Sequence, residues 1–221
     1  MVIAIDGPGG VGKSTVARAV AQSLSLPYLD TGATYRAATV ITLDAGLAVD
    51  DGDAILAEVS RRSIDYGSDG ILLDGTPIGL QTRTTEVTDA VSAVSAHAGV
   101  RSRIVAIQRS WVDQRGGDAV VEGRDIGTTV FPNAEVKVYL TARPEVRAAR
   151  RAGDSEADGA PVTEIAAALA ARDDADSTRT ASPLRPADDA TVIDTSDIGI
   201  EAVVEIILEL VTGSNLNAES S

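Results

Sequence analysis

The sequence predicts an α/β fold: a doubly wound, parallel, five-stranded sheet with a lid and an inserted lobe that carries a small antiparallel sheet of its own. Three observations predict it. Short apolar runs rich in β-branched residues alternate with stretches of helical period. The first run, Val2-Ile3-Ala4-Ile5, leads straight into a glycine-rich loop and then a helix. The residues with chemistry to offer fall at the ends of such runs, where an open α/β sheet holds its ligand.

In chain order, Val2 to Ile5 suits a buried parallel strand. Asp6-Gly7-Pro8-Gly9-Gly10 breaks it, and Val16, Ala17, Val20, Ala21 and Leu24 then recur at helical spacing. Pro27-Tyr28-Leu29-Asp30 reads as a short strand ending in the turn Thr31-Gly32. Residues 34–43 and 53–62 read as helices. Ile64-Asp65-Tyr66, Ile71-Leu72-Leu73 and Thr76-Pro77-Ile78 are small strands separated by Gly-Ser-Asp-Gly and Asp-Gly, which suits hairpins. Residues 86–96 and 99–114 are helical, the second with Ile104, Ile107 and Trp111 on one face. Ala119 to Glu122 and Val136 to Leu140 are apolar strands, residues 144–152 and 163–174 helices, and Thr191 to Asp194 the last strand. Thr195 or Ser196 can cap a final helix ending near Val211. The expected organisation is one domain over 1–211, with a lobe at about 31–100 holding the small sheet at 64–78, a lid at about 147–163, and a flexible polar tail over 212–221.

Composition narrows the function classes. A chain of 221 residues, 44% hydrophobic, can bury a sizeable core, but one Trp, four Tyr and one Phe leave that core to Ala, Val, Leu and Ile. There is no cysteine, which removes disulfides and thiolate chemistry. No run approaches membrane-spanning length and no leader pattern opens the chain, so the expected address is the cytoplasm. A net charge of −14 argues against nucleic acid or an anionic membrane as partner. A polyanionic small molecule must therefore be held by a local cationic cluster. Only Lys13 and Lys137 are lysines; the other basic residues are arginines, whose planar forks match phosphate.

The segment Gly7-Pro8-Gly9-Gly10-Val11-Gly12-Lys13-Ser14 fits G-x-x-x-x-G-K-[ST] at every fixed position. Glycines let the loop curl so that several backbone N–H groups converge on one anion, and the following helix adds its free donors and positive end. Lys13 can reach β/γ-phosphates and the Ser14 hydroxyl can ligate Mg²⁺, with Thr15 next to it. This pattern predicts a bound nucleoside triphosphate. Arg143, Arg147, Arg150 and Arg151 lie on or beside one helix. A polar loop from Ala152 to Pro161 and a second helix ending in Arg172-Asp173-Asp174-Ala175-Asp176-Ser177-Thr178-Arg179 follow. Helix, polar loop and helix studded with arginine suit a lid that shuts over phosphates and excludes water.

Four segments together resemble bacterial cytidylate kinases: Ile3 to Pro8 with Lys13-Ser14-Thr15, Leu29-Asp30-Thr31-Gly32-Ala33-Thr34-Tyr35-Arg36, Glu122-Gly123-Arg124-Asp125-Ile126-Gly127-Thr128, and Arg172-Asp173-Asp174 with Arg179. The likeness runs from about residue 2 to 211. It implies a nucleoside-monophosphate kinase that moves the ATP γ-phosphoryl group to CMP or dCMP with Mg²⁺, as a monomer. By the same resemblance Thr31, Arg36, Arg124 and Arg179 would hold the monophosphate. Ser92, Arg101 and Asp125 would read the cytosine edge, and Arg172 and Asp176 would hold the ribose. Lys13, Arg124, Arg150 and Arg151 would carry the largest rate effects, and Gly7 to Thr15 would cradle ATP. Glu122 stands where the family more often has Asp, and Thr31 where Ser is also common. The acceptor oxygen is already an anion, so no general base is needed, in keeping with a single histidine, His97. A guanine-reading switch would need N/T-K-x-D, and Lys137 is followed by Val138-Tyr139 instead. A kinase for adenylate or a polyol acid is the other rival.

Overall fold

The computed structural model describes residues 1–67, 70–153 and 160–218. They fall into two compact units: Met1–Tyr28 with Gly117–Ser221, and Leu29–Gly116.

The first unit opens with β1 (Val2–Asp6) and α1 (Lys13–Leu24). Gly12 precedes α1 in the left-handed region, φ 91°, which frees the helix's first donors to face the loop. The chain then enters β2 (Tyr28–Asp30), which runs across the boundary between the units.

The second unit holds α2 (Thr31–Asp44), α3 (Gly52–Arg61), β3 (Ile64–Gly67), β4 (Gly70–Leu73), β5 (Thr76–Pro77), a 3₁₀ turn at Gln81–Arg83, α4 (Thr85–Ala96) and α5 (Ala98–Asp113). The three strands form an antiparallel sheet in the order β3-β4-β5, the small sheet that the Gly-Asp turns suggested. Val40 and Ile41 of α2, Ile55 and Val59 of α3, Val94 of α4 and Ile104 of α5 pack into this unit's core. Trp111 sits edge-on to Tyr66 and donates its Nε1–H to the Tyr66 carbonyl at 2.6 Å.

Back in the first unit come β6 (Ala119–Gly123), a π-turn at Ile126–Val130, β7 (Val136–Thr141), α6 (Pro144–Ala152), α7 (Val162–Thr178), β8 (Thr191–Asp194) and α8 (Ile200–Ala218). The sheet order is β2-β6-β1-β7-β8. β1 pairs parallel with both neighbours, Ile5 opposite Glu122, Asp6 opposite Gly123, and Asp6 opposite Tyr139. The carboxyl ends of β1 and β6 therefore lie level, with β7 running two residues further, at the edge where an open α/β sheet holds its ligand. Ile3, Ile5, Val16, Val20, Val120, Val138, Leu140 and Ile207 form the core beneath them.

Three details differ from the sequence reading. Thr31-Gly32 is not a turn: Asp30 caps a helix that begins at Thr31, its carboxylate accepting from the Ala33 N–H at 3.2 Å. Thr195 and Ser196 do not cap the last helix, which starts at Ile200 and continues through Ala218. Both are employed at the sheet edge instead. Thr195 Oγ1 donates to the Val11 carbonyl at 3.2 Å, and Ser196 Oγ accepts from the Arg143 N–H at 2.8 Å. The helix expected over 163–174 continues to Thr178, so Arg172, Asp173 and Asp176 all lie on α7.

Candidate active site

In the first unit the loop after β1 curls as its glycines demand. Gly7 stands at φ +147°, where a Cβ would collide with the Leu140 carbonyl oxygen. Gly10, at φ +77°, passes so close to α6 that a Cβ would lie 2.8 Å from the Arg147 carbonyl oxygen. Lys13 folds back over this loop and donates Nζ–H to the Pro8 carbonyl at 2.7 Å. Desolvation, helped by the positive charge of Arg124, pulls the Lys13 ammonium down to about 7. Ser14 Oγ donates to Glu122 Oε2 at 3.0 Å, and the Tyr28 hydroxyl donates to the same buried carboxylate.

Asp6 is the hinge between this loop and the segment after β6. Its two carboxylate oxygens accept the N–H groups of Ile126 (2.9 Å) and Gly127 (2.8 Å), the first donors of the π-turn. Burial pushes the Asp6 carboxyl up to about 6, and the nearby Asp125 charge adds to that. Arg124 reaches in both directions, donating Nη1–H to the Gly7 carbonyl at 2.6 Å and pairing Nε with Asp176 Oδ2 at 3.0 Å. Asp176 Oδ1 pairs with Arg179 Nη1 at 3.3 Å, and Arg179 Nε donates to the Ser182 carbonyl at 2.7 Å. Arg172 adds a further positive charge to the field at Lys13. Arg124, Asp176 and Arg179 thus form one ion-paired group, and Asp125 is buried at the start of the π-turn.

The arginines of α6 separate by position on the helix. Arg150 is a clamp: its guanidinium donates to Thr195 Oγ1 (2.9 Å), the Thr195 carbonyl (2.6 Å) and the Val11 carbonyl (3.4 Å). Arg151 follows it in the last turn. Arg147, one turn earlier and buried, pairs with Asp173 of α7 at 2.5 Å. The other oxygen of Asp173 takes the Gly9 N–H at 3.5 Å.

In the second unit, Thr31 opens α2 beside the Asp30 cap, so the positive end of that helix stands at the end of β2. Arg36 donates to the Thr82 carbonyl at 3.2 Å and to Thr88 Oγ1 at 3.5 Å. Arg101, buried, lies 5.1 Å over the Tyr35 ring and donates to the Ser95 carbonyl at 3.2 Å; Ser95 Oγ in turn donates to the Ser92 carbonyl. Arg101 thus reaches the end of α4 at Ser95, three residues on from Ser92. His97 is occupied with the Val49 carbonyl at 2.8 Å.

Asp6, Arg147 and Asp173 belong to this constellation, though motif reading assigned them no separate role. An acidic residue closing a buried strand was the signal for Asp6; Asp173 lies in the Arg172-Asp173-Asp174 segment that carries the family resemblance.

A family model described as cytidylate kinase matches residues 3–213. The chain belongs to the cytidylate kinase family. It is similar to the cytidylate kinase of Streptomyces avermitilis, 49% identical over 215 residues that cover 96% of this chain and 92% of that one. It is also similar to that of Corynebacterium efficiens, 47% identical over 220 residues covering 97% and 95%. Among solved structures, an uncharacterized Eubacterium ventriosum protein matches with TM-score 0.53 at 13% identity, covering 96% of this chain and 98% of that one. A Thermus thermophilus protein matches with TM-score 0.50 at 16% identity, covering 95% and 96%. These two show the fold alone. The protein is a P-loop nucleoside-monophosphate kinase acting on CMP, with ATP as its phosphate donor.

The two shifted groups give a pH signature. The Asp6 carboxyl is raised from 3.8 to about 6, so its contribution to stability is full below 3.8 and is lost as pH rises through about 6. Lys13 is lowered from 10.5 to about 7, so its contribution is full above 10.5 and is lost as pH falls through about 7. Denaturant unfolding at stepped pH should show Asp6→Asn gaining on the wild type as pH climbs from 3.8 past 6. A wild-type-minus-variant difference that is flat across that window would contradict the Asp6 environment described here.

Proposed function

We propose that the protein transfers the ATP γ-phosphoryl group to CMP or dCMP, giving CDP or dCDP and ADP, with the site residues in the following roles. The observation that carries this reading is Arg124, fixed at once to the triphosphate loop through Gly7 and to Asp176 and Arg179 on the α7 side. One guanidinium is thereby held beside both a donor cradle and an acceptor-type cation cluster.

The loop N–H groups from Gly7 to Thr15 and Lys13 hold the β- and γ-phosphates. Arg124 and Arg179, with Thr31 and Arg36 of the second unit, neutralise the acceptor phosphate, so that two polyanions can approach. Ser92, Arg101 and Asp125 read the base; Arg172 and Asp176 serve the ribose side. An oxygen of the CMP phosphate attacks γ-phosphorus, the new P–O bond forms as the β–γ bridge bond breaks, and ADP leaves with the bridge oxygen. No proton has to be removed from the nucleophile, so the protein contributes positioning and charge. Arg147, Arg150 and Arg151 come from the lid expected over 147–163, of which residues 154–159 lie outside the described residues. Arg150 holds the loop's flank through Val11 and Thr195, and Arg147 is the arginine that α6 turns toward Asp173 and Gly9.

The donor set fits Mg²⁺. The Ser14 hydroxyl and the Glu122 carboxylate are hard oxygen ligands 3.0 Å apart. Mg²⁺ commonly keeps several waters and is held by one or two protein oxygens together with substrate phosphates. Bound there, it would neutralise charge between the β- and γ-phosphates. Glu122, one methylene longer than the family's usual Asp, would act through Ser14 or a water.

Among the described residues no helix is long and apolar enough to cross a membrane. The large exposed apolar side chains, Leu80, Val162, Val192 and Ile200, belong to different segments. A cytoplasmic monomer is the proposed state, and sedimentation checks the oligomeric part of it. A coupled assay of ATP with CMP, dCMP, UMP and AMP tests the substrate assignment: turnover with CMP and dCMP well above UMP is expected, and turnover with AMP but not CMP would overturn it.

A further inference from the structure

We infer that Asp6 is a positioning residue for the acceptor nucleotide, setting Arg124 and Asp125 through the backbone of Ile126 and Gly127. This rests on the assignment of Arg124 and Asp125 to CMP. The geometry is a two-point grip by consecutive residues, Asp6 at the end of β1 and Gly7 at the start of the loop. The Asp6 carboxylate takes the Ile126 and Gly127 N–H groups at 2.9 and 2.8 Å, and the next carbonyl along, that of Gly7, takes Arg124 Nη1 at 2.6 Å. Both ends of the Arg124–Gly127 segment are thus tied to the last turn of chain before the phosphate loop.

The segment has a reason to need that grip. The π-turn at Ile126–Val130 leaves its first N–H groups without partners of its own, and they are buried where water cannot serve them. The Asp125 carbonyl is already committed to the Thr129 and Val130 N–H groups at 2.8 and 3.1 Å. Asp125 has no side-chain cap of its own in the turn, and stands at φ −144°, ψ 27°, outside the ordinary helical and strand regions. A short turn with one carbonyl serving two donors does not fix its entry angle by itself. Asp6, some 120 residues away in sequence, supplies the missing acceptors.

The chemistry of Asp6 is specific to that task. One donor approaches each of its two oxygens, so both must accept, which an ionised carboxylate's do and a carboxamide, with one oxygen and one NH₂, cannot match. Its position 5% exposed and beside the like charge of Asp125 is electrostatically costly, so packing alone does not account for an acid there. A strand end closed by Asn would turn an amide N–H toward one of the two backbone donors, and the turn would have to rotate away. Such a rotation moves the Asp125 carboxylate and loosens Arg124 on Gly7, while the loop glycines and Lys13 keep their own tether to Pro8.

Asp6→Asn in the full chain is the test, read as a split between the two substrates. Expected is a rise of about tenfold in KM for CMP with a falling CMP-over-UMP preference, from one lost buried hydrogen bond to a charged acceptor. KM for ATP should stay near wild type. Equal rises in both KM values would mean general loosening and overturn the proposal. Arg124→Ala and Asp125→Asn are run in parallel. If they leave KM for CMP unchanged, the acceptor assignment itself has failed; if they raise it while Asp6→Asn does not, only the positioning role has failed. Should the variant melt below assay temperature, calorimetric titration of CMP and of ATP in the cold replaces kinetics, with weakened CMP and preserved ATP binding expected. A variant that stays unfolded even in the cold would make Asp6 a residue of the fold and overturn the proposal.

Discussion

Lys13→Ala should leave a folded protein that has lost nearly all phosphoryl transfer. The ammonium is held over the glycine loop by the Pro8 carbonyl and sits in a field that includes Arg124 and Arg172. Without ligand, burial disfavours its charge and those arginines add to the effect, so the group is pulled down to about 7. Removing it costs one hydrogen bond and relieves repulsion among cations, so stability should move by no more than about 1 kcal/mol. A bound polyphosphate reverses the balance, because its charge offsets the arginines and restores the proton to Lys13. Charge building on the transferring group is then met by a preorganised cation away from bulk water, an effect worth roughly 3–4 kcal/mol, or about 10²–10³ in kcat. The measurements are kcat by coupled assay and the unfolding midpoint of the same preparation. A folded variant keeping a third of wild-type kcat would remove Lys13 from the mechanism.

That field also explains what could and could not be read from the sequence. The strands, the loop and the small sheet were legible because their causes are local: β-branched runs, glycines at fixed spacing, and Gly-Asp turns between Ile64 and Pro77. The start of α2 was misread as a turn because Asp30-Thr31-Gly32 carries both signals. Only the Asp30 carboxylate on the Ala33 N–H decides between them. Arg147 and Arg150 are one helical turn apart and equivalent in composition. Their partners, Asp173 for one and Thr195 with Val11 for the other, come from α7 and from the sheet edge, and no spacing rule predicts either. Thr195 or Ser196 reads as a cap of α8 for a similar reason: either hydroxyl suits a cap, but Thr195 donates to the Val11 carbonyl, Ser196 accepts from the Arg143 N–H, and the helix begins at Ile200. The π-turn after Asp125 was invisible, since its first donors are satisfied by Asp6 from the far end of the unit's sequence. What the sequence hides here is long-range hydrogen bonding by polar residues whose type alone is compatible with several partners.

Asp125→Asn should erode the preference for CMP over UMP, chiefly by weakening CMP. Asp125 is 3% exposed and its main chain is fixed by the Thr129 and Val130 N–H groups, so its carboxylate presents itself from a rigid base with little water to soften the contact. An ionised carboxylate only accepts, and cytosine offers an exocyclic amino donor, so the two are complementary. Uracil places a carbonyl at the same position, setting acceptor against acceptor in a desolvated pocket. A site built on such a pairing rejects the analogue by leaving buried polar groups unmatched, and the preference should fall by about a hundredfold when the pairing is removed. Asn can rotate to offer its amide or its carbonyl and so tolerates either base. The substitution has a second readout, because the Asp125 charge is one of the causes that raise Asp6. With that charge gone, the Asp6 midpoint in a pH series of unfolding should move down, toward the ordinary carboxylate range. The decisive measurement is kcat/KM for CMP and UMP in wild type and variant, with circular dichroism confirming the fold. A downward shift of the Asp6 midpoint with an unchanged selectivity ratio would show a substitution that reached its neighbour but not the base, and base reading would then pass to Ser92 and Arg101.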